Sequence, residues 1–254
     1  MVKFIDLSVS VGDNDSEPSK FKHTRLTSSE GAKGLAQKAG IPISSFPNNE
    51  FLTLDTYTLS THMGTHVDAP IHFGDSENVE NINTKSVDQL PLEWFYGEGK
   101  VLNFSKFPRK KNIEKEDIVK VLEKEKIEIK PNDIVLVYTD MDKLYGTKEY
   151  FTDGPGMSKE ATEFLLDLGV KVIGIDSYGF DRSFPVMLNE FKITGNRNVL
   201  WPSHFVGRTR EYVHIEKLCN LDKLPKEGFL LSLFPIKLDK ADAAWVRAIA
   251  IVEE

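Results

Sequence analysis

The sequence predicts a mixed α+β fold in a single domain covering residues 1–254. Strand-like and helix-like segments follow one another without regular alternation. Residues 134–138 are a short, continuous apolar run of the kind found in buried strands, and residues 170–175 read as a second buried strand. A chain of 254 residues with 40% hydrophobic content can bury a full core, and no composition shift marks an interdomain linker.

Residues 3–11 alternate well enough to form a strand, whereas residues 12–50 are polar and punctuated by Ser and Gly. That stretch is expected to form loops over the functional site, with one short helix around residues 31–38. Residues 109–130 are dense in Lys and Glu, but Ile118, Val119, Val121 and Leu122 supply a helical apolar stripe, so the charge is a solvated helix face. Pro131, Asn132 and Asp133 turn the chain into the strand at 134–138. Ser158 can cap a helix whose Ala161, Phe164, Leu165 and Leu168 share a face, Gly169 can end it, and residues 170–175 return as a strand. The glycines at 169, 174 and 179 do not form a dinucleotide-binding GxGxxG, and the chain has no phosphate-binding GKS/T loop.

A net charge of -7 and a pI near 5.5 lack the basic excess that tracks phosphates, which excludes nucleic acid as an expected partner. No stretch reaches the 18 apolar residues of a membrane span. The single cysteine, Cys219, has no intrachain partner, and no apolar leader follows a basic N-terminus; a cytoplasmic location is expected.

The chemistry concentrates in STHMGTHVDAPIHF, residues 60–73, where His62, His66, Asp68 and His72 lie close together. All four are at even positions, so an extended segment would turn them to one face. Gly64, Val67 and Pro70 disfavour a helix, and the helical zinc-protease pattern HExxH is absent. Imidazole nitrogens with a carboxylate suit zinc, manganese or iron, whereas calcium and magnesium would want oxygens alone. Downstream, His204 follows Pro202 and Ser203 in a turn, and Glu216 lies in YVHIEKL among apolar Tyr212, Val213 and Ile215. Taken singly, Glu216 reads as a solvated charge and His23 or His214 as an ordinary core or surface histidine. His214 would face the same way as Glu216 only if that segment is extended.

The pattern H-x-G-T-H-x-D-A-P-x-H resembles the signature of the cyclase superfamily of metal-dependent hydrolases, the family of bacterial kynurenine formamidase and isatin hydrolase. The resemblance continues in family order through IDLS, DIVLVYTD, GPGMSKEATEFLLDLGVKVIGID, PSHFVGRTREYVHIEKL and the closing LSLFPIKL to VRAIAIV segments, covering essentially the whole chain. It implies His62, His66 and Asp68 as metal ligands, His72 as the catalytic acid/base, and His204 with Glu216, twelve residues later, as completing a binuclear site. His214 ranks below His204 because only His204 matches the motif. The resemblance further implies a swivelling β/β/α fold, a homodimer or larger oligomer such as a tetramer, and a loop containing Tyr178, Phe180 and Asp181 near the active site.

A transition ion with open coordination positions lowers the pKa of its water towards neutrality, and histidine, the residue type at position 72, is suited to passing a proton to a leaving group. This chemistry supports amide or ester hydrolysis, and the resemblance implies hydrolysis of a C–N amide bond, in a formamide or cyclic amide of a small aromatic molecule, with about two zinc or manganese ions per chain. A lactonase, a ring-opening hydrolase or a dehydratase would use the same site, and a non-catalytic metal-binding protein is the remaining alternative. The Pro-Tyr-Pro-Gly element common in formamidases is absent after Val11, where the chain reads GDNDSEPSK, so substrate selection is expected to differ. Trp94, Tyr178, Phe180 and Trp201 are candidates for an aromatic wall, although large aromatics are more often core.

Overall fold

In the computed structural model, which describes residues 1–74 and 84–253, the strands are β1 (Val2–Asp6), β2 (Lys22–Leu26), β3 (Leu54–Thr58), β4 (His66–Asp68), β5 (Tyr96–Asn103), β6 (Asn112–Ile113), β7 (Ile134–Tyr138), β8 (Gly156–Met157), β9 (Val172–Ile175), β10 (Val213–Glu216), β11 (Phe229–Ser232), β12 (Ala243–Trp245) and β13 (Ile249–Glu253). The helices are α1 (Ser28–Ala39), α2 (Lys115–Glu125), α3 (Lys148–Asp153), α4 (Lys159–Asp167) and α5 (Phe184–Thr194), with short 3-10 turns between. The class is α+β, as expected. Two compact units emerge, one of residues 18–60 and one of residues 1–17 with those from 61 onward.

Among the described residues of the larger unit, nine strands form one sheet in the order β1-β13-β11-β5-β7-β9-β10-β4-β12. Its centre, β5-β7-β9-β10, is parallel, and its flanks are antiparallel. The continuous apolar run of β7 feeds two cores by simple alternation: Ile134, Leu136 and Tyr138 enter one layer, Val135 and Val137 the other. Helices α2 and α4 cover the second layer with Ile118, Ala161 and Leu165. The first layer closes on residues of the sheet's own flanks, Val67, Leu231, Ala244 and Ala250 among them, so the sheet curls over it.

Expected elements appear with shifted ends. Ser158 Oγ accepts from Ala161 N at 3.1 Å and starts α4, which Leu168 closes one residue before Gly169. The strand expected over residues 3–11 stops at Asp6, because beyond it the chain leaves β13: Ser8 bridges to Leu218 and Val9 N donates to the Thr65 hydroxyl. In the smaller unit the helix is longer than expected. Thr27 and Glu30 form a capping box, and Gly40 ends α1 in the left-handed conformation. β2 and β3 pair antiparallel there. No helix among the described residues is long and apolar enough to cross a membrane.

Asp176, just past β9, ties two central strands together. Its Oδ1 accepts from the backbone N–H and hydroxyl of Thr139, just past β7, at 2.7 and 2.6 Å, while Oδ2 is buried without a hydrogen-bond partner. Burial pushes this carboxyl up to about 7 despite the bonds from Thr139. The unfolded group titrates near 4, so its contribution to stability is full only below that pH and is lost as pH rises through about 7. Asp176→Asn keeps an oxygen for Thr139 and carries no charge. It is expected to be more stable than the wild type at pH 8 and to lose that advantage towards pH 4, read as the difference in urea midpoints.

Candidate metal centre

The ladder between β4 and β10 builds the centre. These antiparallel strands pair His66 with Glu216, Val67 with Ile215, and Asp68 with His214. Alternation sends Val67 and Ile215 into the first core layer and leaves His66, Asp68, His214 and Glu216 together on the opposite face. His214 Nε2 stands 2.9 Å from Asp68 Oδ2 and 3.4 Å from Glu216 Oε1. All four are buried.

The remaining candidates arrive from turns. The single extended segment expected for residues 60–73 covers only His66–Asp68; His62 precedes it in a turn and His72 follows in the 3-10 turn Pro70–Phe73. Gly64 makes the first turn with φ +73°, where an added Cβ would lie 2.6 Å from the Val11 side chain. His62 Nδ1 thereby comes to 3.0 Å from Asp68 Oδ1, and His66 Nε2 lies 3.2 Å from the same oxygen. His204, at the start of another 3-10 turn, approaches Asp68 Oδ2 and Glu216 Oε1 at 3.8 and 3.7 Å. All six residues singled out in the sequence are thus in one cluster. His72 is the most exposed of them, 3.7 Å from Asp68 Oδ2.

The side chains that approach Asp68 are anchored from behind. His66 Nδ1 donates to Gly64 O at 2.7 Å, and His204 Nδ1 to Asp181 Oδ2 at 2.6 Å. Asp181 also accepts from the backbone N–H groups of Ser203 and His204. Glu216 Oε1 accepts from Phe180 N at 2.8 Å. His62 Nε2 bonds Asp242 Oδ2 at 3.0 Å. Such partners fix which ring nitrogen is left to face a metal.

The cluster suits a divalent transition ion. Asp68 Oδ1 is buried and has no hydrogen-bond partner among the described residues, although two imidazole nitrogens converge beside it. The mutual separations of those atoms, 3.0–3.2 Å, match the edges of a coordination shell with arms of about 2.0–2.2 Å. A second group of potential ligands comprises Asp68, His204, His214 and Glu216. The field around them favours positive charge: burial opposes protonation of His62, yet Asp68 and Asp242 push it up to about 10. Burial likewise disfavours charge on His214, and Asp68 and Glu216 outweigh it, to about 9. Burial also works against ionising Asp68, but the surrounding histidines hold its carboxyl well below the usual range.

His214 and Asp242 carry more of this geometry than their sequence positions indicated. The extended condition attached to His214 is met in β10, and it stands closer to Asp68 than His204 does. Asp242 lies in the distal stretch 239–245 with no motif around it. Of the aromatic candidates, Tyr178 and Trp201 line a cavity beside His204 and Glu216. Phe180 is fully buried and stacks on His214 at 4.5 Å, and Trp94 packs on the first core layer, away from the centre.

The fold is that of a cyclase-type protein. The family model named Cyclase matches residues 5–182, and the chain belongs to that family. An isatin hydrolase of Roseibium aggregatum is 26% identical over 211 residues, 80% of this chain and 76% of its own. A kynurenine formamidase of Delftia acidovorans is 30% identical over 201 residues, 78% of this chain and 79% of its own. The solved structure of isatin hydrolase A from Labrenzia aggregata bound to benzyl benzoate shares the fold, with a TM-score of 0.78 at 23% identity over 100% of this chain and 94% of that one.

Packing behind the centre is tight at Gly207, where an added Cβ would lie 2.1 Å from the Phe73 ring. Phe73 in turn contacts the His204 and His214 rings at 5.7 and 5.2 Å. Gly207→Ala is expected to cost about 1–3 kcal/mol through overpacking, seen as a lower denaturation midpoint.

Proposed function

We propose that the chain, acting as one functional domain, cleaves the C–N amide bond of a small aromatic formamide or cyclic amide at a centre holding two zinc or manganese ions. The protein is a metal-dependent hydrolase. One observation carries the assignment: the Asp68 carboxylate is shared, with Oδ1 towards His62 and His66 and Oδ2 towards His214, His204 and the Glu216 side. His62, His66 and Asp68 would hold one ion, and Asp68, His204, His214 and Glu216 the other. Bound there, such ions supply Lewis acidity and a water acidic enough to attack at neutral pH.

The chain's own groups do the rest. His72 stands beside the cluster on a short turn, outside hydrogen-bond distance of Asp68, and is accessible enough to give a proton to the departing nitrogen. Burial of His66, Asp68 and His214 excludes bulk water from the far side of the centre. A cavity of about 120 Å³ opens beside His204 and Glu216 between Phe151, Tyr178, Phe184 and Trp201. Phe184 and Trp201 stack at 5.3 Å, and this wall supports a flat, apolar substrate body. The names of the relatives, isatin hydrolase and kynurenine formamidase, support the same class. The protein is further taken to be a cytoplasmic homo-oligomer, a dimer or a tetramer, on the family resemblance and the lone cysteine.

The deciding experiment is metal analysis of purified protein followed by a screen of N-formyl anilines, cyclic amides and lactones. About two ions per chain at saturation are expected, with turnover of the amides. One ion under excess metal, or turnover of lactones alone, overturns the proposal. Glu216→Ala is expected to lower occupancy mainly at the ion beside His204, because His62, His66 and Asp68 still hold the other. Equal loss of both would show the two positions to be inseparable.

His72→Asn separates binding from proton transfer. Metal content is expected to stay near the wild-type level while amide turnover falls by about 10² to 10⁴-fold. An activated aryl ester, whose leaving group departs unaided, should be spared. Metal lost in proportion to activity would instead make His72 a ligand.

A further inference from the structure

Asp242 brings a carboxylate to the cluster from outside the β4–β10 ladder and its neighbouring turns. Its backbone is fixed by the sheet: β12 pairs Ala243 with Asp68, Ala69 N donates to Asp242 O at 2.9 Å, and Val87 N donates to Ala241 O at 3.0 Å. Its side chain is held by Thr61, whose hydroxyl donates to Oδ1 at 3.1 Å. The other oxygen, Oδ2, lies 3.0 Å from His62 Nε2 and 3.7 Å from His72 Nδ1. Half of the side chain is exposed.

We propose that Asp242 is a positioning residue that fixes the tautomer of His62 and orients His72. A neutral imidazole carries one proton. When that proton is on Nε2 and given to Asp242, Nδ1 presents its lone pair to Asp68 and His66, which it faces at 3.0 and 3.2 Å. His66 and His204 obtain the same constraint from Gly64 O and Asp181. For His62 the acceptor is supplied 180 positions away in the chain. The same Oδ2 faces the outer nitrogen of His72 at 3.7 Å, beyond hydrogen-bond distance, so its pull on that ring is electrostatic, while the inner nitrogen faces Asp68. The assignment rests on His62 being a metal ligand and His72 the proton donor, as proposed above.

The alternative role for Asp242 is as a ligand itself, since Asp242, His62 and His72 also converge closely enough to hold an ion. His62 Nδ1 already faces Asp68 and His66, which leaves Nε2 as the nitrogen that carries the proton.

The test compares wild type, Asp242→Asn and Asp242→Ala, each loaded with cobalt(II). Ion count is measured at saturation, affinity by competition with a chelator, and ligand geometry by the visible absorption of the bound cobalt. A positioning role predicts an unchanged ion count, affinity weakened about 10- to 100-fold in Asp242→Ala, and a shifted cobalt spectrum. Asp242→Asn, nearly isosteric and still offering an amide oxygen, should fall between the two and keep the wild-type melting temperature. On an amide substrate, kcat should drop more than KM rises, because His72 orientation matters in the transition state. Equal affinity and identical spectra in all three proteins overturn the proposal, as does the loss of a whole ion in Asp242→Asn, which would make Asp242 a ligand. A wild type that takes up no cobalt, zinc or manganese overturns the metal assignment and this proposal together, whereas a wild type that binds and variants that match it overturn this proposal alone.

Discussion

The buried carboxylate of Asp68 is the constraint on which the rest of the centre depends. It shares its environment with Glu216, also buried, and two carboxylates taken out of water repel each other and lose hydration. Positive charge has to answer them, and five imidazoles surround Asp68 within 4 Å. Protons on His62 and His214 or divalent ions meet that demand, and the partnerless Oδ1 marks where an ion does it better. The site is polar by necessity and cation-seeking by arrangement.

Holding such a cluster requires stiff supports, which come from both faces of the ladder. On one side the interleaved core of Val67 and Ile215 fixes the strand register, and a slip by one residue would turn His66, Asp68, His214 and Glu216 into that core. On the other, a buried ion pair latches the turn that carries His62. Lys217 Nζ donates to Glu17 and to His62 O, and Glu17 accepts from Gly64 N. Lys217 directly follows Glu216, so the latch ties the end of β10 to the turn before β4. A buried pair of this kind adds little net stability, but loss of either partner strands the other's charge.

Membership of the cyclase family and the shared carboxylate set the chemistry, whereas the surroundings select the substrate. The aromatic cavity beside His204 is small, and its stacked Phe184 and Trp201 favour a flat body. Val11 is followed by acidic and polar residues and lacks the Pro-Tyr-Pro-Gly element of formamidases.

The sequence by itself determined the elements whose physics is local. Alternation and apolar runs specified β7, the Ser158 cap specified the start of α4, and the spacing of His62, His66 and Asp68 pointed to a transition metal. The helix expected around residues 31–38 is present but starts earlier, at Ser28, where Thr27 and Glu30 form a capping box that the sequence reading did not use. His204 and Glu216 were reached only through family resemblance, because a turn histidine and a strand glutamate carry no local sign of their meeting. Only the tertiary structure decided the rest: that β4 and β10 pair in the register that sets His214 against Asp68, that Phe180 belongs to the core while Tyr178 lines the cavity, and that Asp242 returns to His62 from the far end of the chain. Strand pairing and long-range hydrogen bonds depend on how distant segments share one core, and that information is spread over the whole sequence with no motif to carry it.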